Sequence, residues 1–448
     1  MEPVRKKWLW GLAAASFALH FLGLTSPKQV IFDEFHFGKF VTAYCCTGQR
    51  FFDIHPPHAK LLIAGSAKAM GYKGQYRFSK IGENYNGPGL FGLRFLPALA
   101  GAMIPVLVYI LLGQLGVTSA GAFMGGFALL LDNAVLVQSR FISLDTILVG
   151  TILGALVSLM AYMRAHSLAR RSFFLTLSGT LAGLAIGTKF TGLVVLFILG
   201  LIIWRVANPL VRRHSVGFLK MISGVGVVAL TDYAAGWFLH FHLLGLPGNG
   251  DRFFKPQGKF FQDTATTHQR MLASNVNLGK KHQDGSRWWQ WPLMKNPIYY
   301  WANGGKRIYF LGNPVVWWGS SFFFVGLLCY LILAHFGLIA APHPRQSARY
   351  LWIPLAAYFA AFAPYIFVNR VLFMYHYLTA LVFGVVAVTT WLDSVGFFAQ
   401  GGPAHQGKTY RVLLASVVLG FVLVSPLTFG FVSFGWHHSL LRFLFVVL

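Results

Sequence analysis

Apolar stretches long enough to cross a bilayer recur along this chain and leave little room for anything else. The first runs from about Trp8 to Leu24, behind Arg5, Lys6 and Lys7. Others follow at about 90–113, 119–138, 141–163, 173–188, 190–206, 217–241, 315–337, 351–368, 371–393 and 412–434. A hydrocarbon core about 30 Å thick needs about 20 helical residues to span it. Backbone polar groups in lipid must find partners within the segment, so each stretch is expected to be a helix. The pairs that meet around Gln138–Phe141 and Gly187–Thr191 read either as two spans or as one long or broken helix. The pattern predicts an all-α polytopic membrane protein, with about eleven transmembrane helices in one domain over 1–448. Composition agrees: 11% of residues are charged and 56% hydrophobic, where soluble domains carry about 25% charged residues. A water-soluble globule is excluded. No small-residue cleavage site closes the first stretch, which therefore reads as an uncleaved signal-anchor. Three cysteines cannot build a disulfide framework, and the adjacency of Cys45 and Cys46 argues against a bond between them.

The charges orient the chain. With the N-terminus inside, the cytoplasmic segments carry Arg164, Arg170, Arg171, Arg205, Arg212, Arg213, Arg345, Arg349, Lys408 and Arg411, and no acid apart from Glu2. This is the positive-inside pattern, and it places the C-terminus outside. Two long polar segments, 25–89 and 242–314, then fall on the extracytoplasmic face. The first is expected to hold short interfacial helices near 33–47 and 57–70, and the second is rich in Trp and Tyr, as in a segment packed at the headgroups. The net charge is +25, from 37 basic and 12 acidic residues. Eighteen of the basic residues lie in these two outer segments, where topology does not account for them. Anionic headgroups and a phosphate-bearing substrate both fit that excess.

Most of the acids also lie outside, so any chemistry is expected there. Asp33-Glu34 follows the first span. A carboxylate pair at a membrane surface suits a general base or a cation ligand, and Asp before a helical run also suits a helix cap. His55-Pro56-Pro57 fixes a rigid turn ahead of a helix whose N-terminal amides would face an anion, with Lys60 one turn on; a turn with a snorkelling Lys fits equally well. Arg140 and Asp145 are expected to pair across the bend between two spans, in a structural role. Lys189, in Gly-Thr-Lys-Phe-Thr-Gly, reads as a snorkelling anchor or as a phosphate ligand. Arg370 and Tyr375-His376-Tyr377 suit an interfacial belt, or the phosphate and sugar of a lipid-linked donor. There is no HExxH, CxxC or phosphate-loop motif, so neither metal nor nucleotide hydrolysis is expected, nor a cofactor, nor nucleic-acid binding. With no cytoplasmic domain to hold a nucleotide sugar, a glycosyl donor would be lipid-borne.

Eight strings, in order, carry a family resemblance: 30–38 around Phe32-Asp33-Glu34-Phe35-His36, 51–62 around His55-Pro56-Pro57, 93–99 around Arg94, 132–145, 187–193, Gly285 to Leu293 with Trp288-Trp289-Gln290-Trp291, Gly312-Asn313-Pro314, and Phe373 to Tyr377. Together they resemble the protein O-mannosyltransferase family, within the C-type glycosyltransferases that use polyprenyl-phosphate donors. The resemblance implies eleven spans and an inverting transfer of mannose from polyprenyl-phosphate-mannose to Ser or Thr hydroxyls of a protein acceptor. It makes Asp33 the catalytic carboxylate, with Glu34 supporting the site or the acceptor, and Arg94 an arginine important for activity. His55, Lys60, Arg140, Lys189, Arg370, Tyr375 and His376 are then expected around the donor. The second outer segment has no room for the β-trefoil MIR domain of eukaryotic members, so the chain resembles bacterial ones and is expected in a bacterial plasma membrane. The family's Pro-Pro-Leu-Ala-Lys reads Pro-Pro-His-Ala-Lys here, which adds His58. A related transferase that modifies a lipid headgroup, as with aminoarabinose, is the nearest alternative. A transporter fits less well, since no internal symmetry is evident.

Overall fold

The charged Lys6-Lys7 pair opens α1 (Lys6–Phe21), which delivers the chain to the first outer segment in a computed structural model describing residues 5–206, 215–276, 282–339, 346–399, 407–432 and 435–445. Glu2, Arg212, Arg213 and Arg345, used above for orientation, lie outside the described residues. The outer segment holds α2 (Glu34–Thr42), a π turn (Ala43–Thr47) and α3 (His58–Ala69), as its pattern predicts. The apolar stretches then give α4 (Leu90–Gln114), α5 (Ser119–Leu130), α6 (Asn133–Ser139), α7 (Asp145–Tyr162), α8 (Leu168–Thr188), α9 (Val194–Val206) and α10 (Ser215–Leu243). The second outer segment contributes α11 (Phe260–Val276). Beyond it lie α12 (Pro314–His335), α13 (Trp352–Phe362), α14 (Leu378–Ser394), α15 (Lys408–Phe429) and α16 (Gly435–Phe445).

Among the described residues seven helices are long and apolar enough to cross a membrane, or eight if the bent pair α5 and α6 counts as one. The protein is therefore an integral, multi-pass membrane protein. The three other apolar stretches are helical as well, at α1, α8 and α9. They fall short because α1 has 16 residues and α9 has 13, and α8 opens on Arg170 and Arg171.

The helical polytopic architecture holds, with one small addition that the sequence did not announce: β1 (Ile298–Asn303) and β2 (Lys306–Phe310) pair antiparallel, Ile298 opposite Phe310. The β-branched and aromatic run favours a strand, and Gly304-Gly305, both at positive φ, supply the tight two-residue turn. Cys45 and Cys46 are joined as a disulfide despite their adjacency. Both lie in the π turn, which Gly48 closes in the left-handed conformation.

Small residues let the helices approach. A Cβ on Gly183 of α8 would stand 2.7 Å from the Ala229 carbonyl oxygen of α10, and one on Gly154 of α7 would meet Leu181. The 55° bend between α5 and α6 is a satisfied junction. One oxygen of the fully buried Asp132 caps α6 at the Val135 N–H, and the other accepts from the Asn313 N–H (3.1 Å) and Trp317 Nε1 (2.9 Å). Asn313 in turn donates to the carbonyls of Leu131 and Val417. The Asp132-Asn133 and Gly312-Asn313-Pro314 strings thus lock a broken span against α12 and α15.

Candidate active site

The two acids of the first outer segment have opposite surroundings. Glu34 has no exposed surface and is saturated. Arg94 donates to it through Nε (2.8 Å) and Nη2 (3.0 Å), Tyr85 through its hydroxyl (2.8 Å), and Ile31 and Ile142 through their N–H groups (2.9 and 3.1 Å). The remaining N–H groups of Arg94 go to the carbonyls of Leu24, Pro27 and Gln29. A bidentate, fully bonded pair of this kind fixes the exit of α1 against α4, and it leaves neither group free for substrate. Asp33 is only partly buried. It stands at the start of α2 but makes no capping hydrogen bond, so the cap reading does not hold. Among the described residues no hydrogen bond or ion pair reaches its carboxylate. Loss of hydration pushes Asp33 up to about 7; Lys189 opposes the rise, and Asp145 and Asp53 reinforce it.

Behind it the Phe-Phe-Asp-Ile-His-Pro-Pro turn enters α3. Lys60 is neither snorkelling nor free: it is buried, ion-paired to Asp53, and donates to the His55 carbonyl at 2.7 Å. Burial lowers Lys60 from the ordinary lysine value. Burial and the cations Lys189, Lys60 and Arg370 hold His55 well below the usual histidine range, so its imidazole is neutral. His58 is a packing element. Its ring fills the gap between Gly187 and Gly236, where a Cβ would stand 2.1 and 2.2 Å from it, and Nε2 lies 2.9 Å from the Asp232 carbonyl.

Arg140 does not pair with Asp145. It turns to the C-terminal end of α1, donates to the carbonyls of Leu19, His20 and Gly23, and lies 4.8 Å from the Phe429 ring centre. Unsatisfied carbonyls at a helix end attract a cation. Lys189 takes Asp145 instead, at 2.6 Å, and Gln138 donates to the other carboxylate oxygen at 2.8 Å.

A cavity of about 370 Å³ opens beside this pair, lined by His55, Asp145, Lys189, Arg370, Tyr375 and His376 among others. Lys189 Nζ lies 5.3 Å from the centre of the Tyr375 ring, a cation–π distance. Arg370 has no ion-pair partner among the described residues. Trp291, from the Gly-Ser-Arg-Trp-Trp-Gln-Trp-Pro-Leu string, packs behind Tyr365 and His376. The cavity shares Phe190, Thr191, Tyr365, Val368 and Thr379 with a second, apolar one of about 510 Å³, which Phe197 of α9 and Ala360 and Ala361 of α13 help to line. The arrangement offers an unpaired carboxylate, a cationic head site and an apolar groove continuous with it.

Of the residues singled out from sequence, His55, Lys189, Arg370, Tyr375 and His376 share the head cavity with Asp145. Asp33 lies within electrostatic reach of Lys189, Asp145 and Tyr375 in that group. Glu34, Arg94, Lys60 and Arg140 are outside that lining: the first two hold the chain after α1, Arg140 binds the end of α1, and Lys60 holds the His55 turn. Sequence reasoning missed Tyr365, Asn369 and Asn275 in the lining; Thr191 was within reach, two residues from Lys189 in the same string.

A family model described as dolichyl-phosphate-mannose-protein mannosyltransferase matches residues 10–245, more than half of the chain. The chain belongs to this family. A second model, the C-terminal four-TMM region of protein-O-mannosyltransferase, matches residues 260–442. Among curated relatives, dolichyl-phosphate-mannose–protein mannosyltransferase 4 of Schizosaccharomyces pombe is 32% identical over 281 residues, 59% of this chain and 35% of the relative. Mannosyltransferase 1 of Saccharomyces cerevisiae is 33% identical over 282 residues, 60% and 34% respectively. The match thus spans about a third of these relatives' length. Among solved structures, the S. cerevisiae protein O-mannosyltransferase Pmt1-Pmt2 complex bound to the sugar donor superposes with a TM-score of 0.89, at 19% identity, over 99% of this chain and 92% of that one. ArnT of Cupriavidus metallidurans bound to undecaprenyl phosphate gives 0.54 at 17% identity, over 94% and 65%. These likenesses establish the C-type glycosyltransferase fold.

Proposed function

We propose that this chain transfers mannose from a polyprenyl-phosphate-mannose donor to Ser or Thr hydroxyls of proteins on the extracytoplasmic face, inverting the anomeric carbon. It would act as a single domain of eleven spans in a bacterial plasma membrane, N-terminus inside and C-terminus outside, with no MIR insertion. The observation that carries the reading is the unpaired Asp33 carboxylate beside a cationic cavity that continues into an apolar groove.

In this mechanism Asp33 takes the proton of the acceptor hydroxyl as its oxygen attacks the anomeric carbon. The bond from that carbon to the phosphate oxygen breaks, and the phosphate leaves with its added negative charge. Lys189 and Arg370 face that charge, and Lys189 does so from a buried position where its charge is worth more than at a surface. His55, Tyr375 and His376 line the sugar-phosphate site, and the prenyl tail lies in the groove between α9 and α13. Lys60 holds Asp53 and the His55 turn; Arg94 and Glu34 hold the loop that carries Asp33.

The direct test incubates the purified protein with labelled polyprenyl-phosphate-mannose and a Ser/Thr-rich peptide. Label in the peptide supports the reading, and label appearing only in a lipid product moves the acceptor to a lipid headgroup. Since a base must be ionised to act and Asp33 titrates at about 7, kcat/KM should rise with pH through that value and fall about tenfold per unit below it. A profile flat from pH 5 to 8 would exclude Asp33 as the titrating base. Arg370→Gln should raise the donor KM by about tenfold, the loss of one charge-assisted contact of about 1.5 kcal/mol. An unchanged donor KM would remove Arg370 from the head site.

A further inference from the structure

The backbone that carries Asp33 is set from the far side of the site. Phe32 adopts φ +39°, a conformation that a bulky L-residue holds only when its surroundings impose it. Both restraints come from β1. The Phe32 N–H donates to the Tyr300 carbonyl at 3.2 Å, and the two rings stack with centroids 4.3 Å apart and planes 16° from parallel. Tyr300 is fully buried, and its hydroxyl donates to Gln138 Oε1 at 2.6 Å. The Gln138 amide donates to Asp145 Oδ2 at 2.8 Å, and Asp145 Oδ1 accepts from Lys189 at 2.6 Å. The direction of the run is fixed, because an ionised carboxylate only accepts; the amide nitrogen must face Asp145 and leave the amide oxygen for Tyr300. Packing alone would be served by a phenylalanine at 300. A buried hydroxyl is retained at a cost unless it is bonded, and this one is bonded to the residue that grips the donor-cavity ion pair.

We propose that Tyr300 and Gln138 are positioning residues that tie the placement of the Asp33 carboxylate to the Asp145–Lys189 pair, keeping the base in register with the leaving-phosphate site. The inference rests on the transferase reading for its kinetic consequences, but not for its geometry. Neither residue touches the reacting atoms; both act through Phe32 and Asp145.

Tyr300→Phe keeps the stacked ring and the carbonyl and removes only the hydroxyl. Gln138→Leu removes the other end of the same bond. Each should lower kcat about tenfold while leaving the donor KM within about threefold, and the double variant should be no slower than the slower single one. In Tyr300→Phe the charged and titratable groups that act on or with Asp33, namely Lys189, Asp145, Asp53 and Tyr375, keep their own partners. A loosened loop lets water reach the carboxylate, so the acid limb of the pH profile should move down by at least about half a unit. Loss of folded protein alone would lower the amplitude and leave that limb where it is. Unchanged kcat, an unmoved limb, or strictly additive losses would overturn the proposal.

A readout free of turnover uses Asp33→Cys in a Cys329→Ser background and a membrane-impermeant methanethiosulfonate. Adding Tyr300→Phe should change the labelling rate at position 33 at least about threefold, because local opening governs access to the thiol. An equal rate would overturn the inference. If the wild-type protein transfers no mannose, the functional reading fails while the labelling result still decides the geometric one.

Discussion

Asp33→Asn is expected to abolish transfer, lowering kcat by about 10²–10⁴-fold, the usual contribution of a positioned base, while the protein still inserts and binds the donor. The substitution is nearly isosteric and removes only the capacity to accept a proton. Glu34, buried and held by five hydrogen bonds from four residues, cannot substitute, because its oxygens are already engaged by Arg94, Tyr85, Ile31 and Ile142. Little stability should be lost, since no described residue bonds to the Asp33 carboxylate and a carboxyl raised to about 7 by loss of hydration gains nothing from its charge. Turnover and donor binding measured on the same preparation check both halves. Near-normal turnover would rule Asp33 out as the base.

The second large effect is on folding. Arg94→Met should destabilise the protein by about 3–5 kcal/mol, the range for removing one partner of a buried ion pair. It leaves the Glu34 charge without its guanidinium and strips the carbonyls of Leu24, Pro27 and Gln29 of their donor. The thermal midpoint in detergent should fall and yield should drop. Replacing both partners, Glu34→Leu with Arg94→Met, should recover part of the loss, because an uncompensated charge costs more than an apolar pair. The informative contrast is Glu34→Gln. If it keeps the wild-type midpoint yet loses turnover, Glu34 takes part in the chemistry rather than in holding the loop.

Much of this was legible in the sequence, for a physical reason. Spanning helices need long apolar runs, so the helices at 90–114, 145–162, 314–335 and 408–429 announce themselves within a few residues. The two helices of the first outer segment also appear where the Asp33-Glu34 and Pro-Pro strings put them. What one-dimensional reading misses is partner choice. Arg140 and Asp145 are five residues apart and look like a pair, yet Asp145 is taken by Lys189, 44 residues on, and Arg140 by carbonyls about 120 residues back. Lys60 looks like a surface lysine until Asp53 folds onto it. The hairpin at Ile298 to Phe310 was hidden because Tyr and Trp at a headgroup and Tyr and Trp in a strand have the same composition. Tyr300 itself carries no motif; only its hydrogen bond to Gln138 marks it.

The shared wall between the head cavity and the apolar groove has a consequence for how the reaction should be measured. A prenyl-linked substrate that enters through such a wall arrives by travelling within the leaflet and never equilibrates with bulk water. Its supply is then a surface density, and the saturation constant is a mole fraction of the surrounding lipid or detergent. Doubling the aqueous volume at a fixed lipid-to-donor ratio should leave the velocity unchanged. Doubling the detergent at fixed donor should slow the reaction as though substrate had been withdrawn.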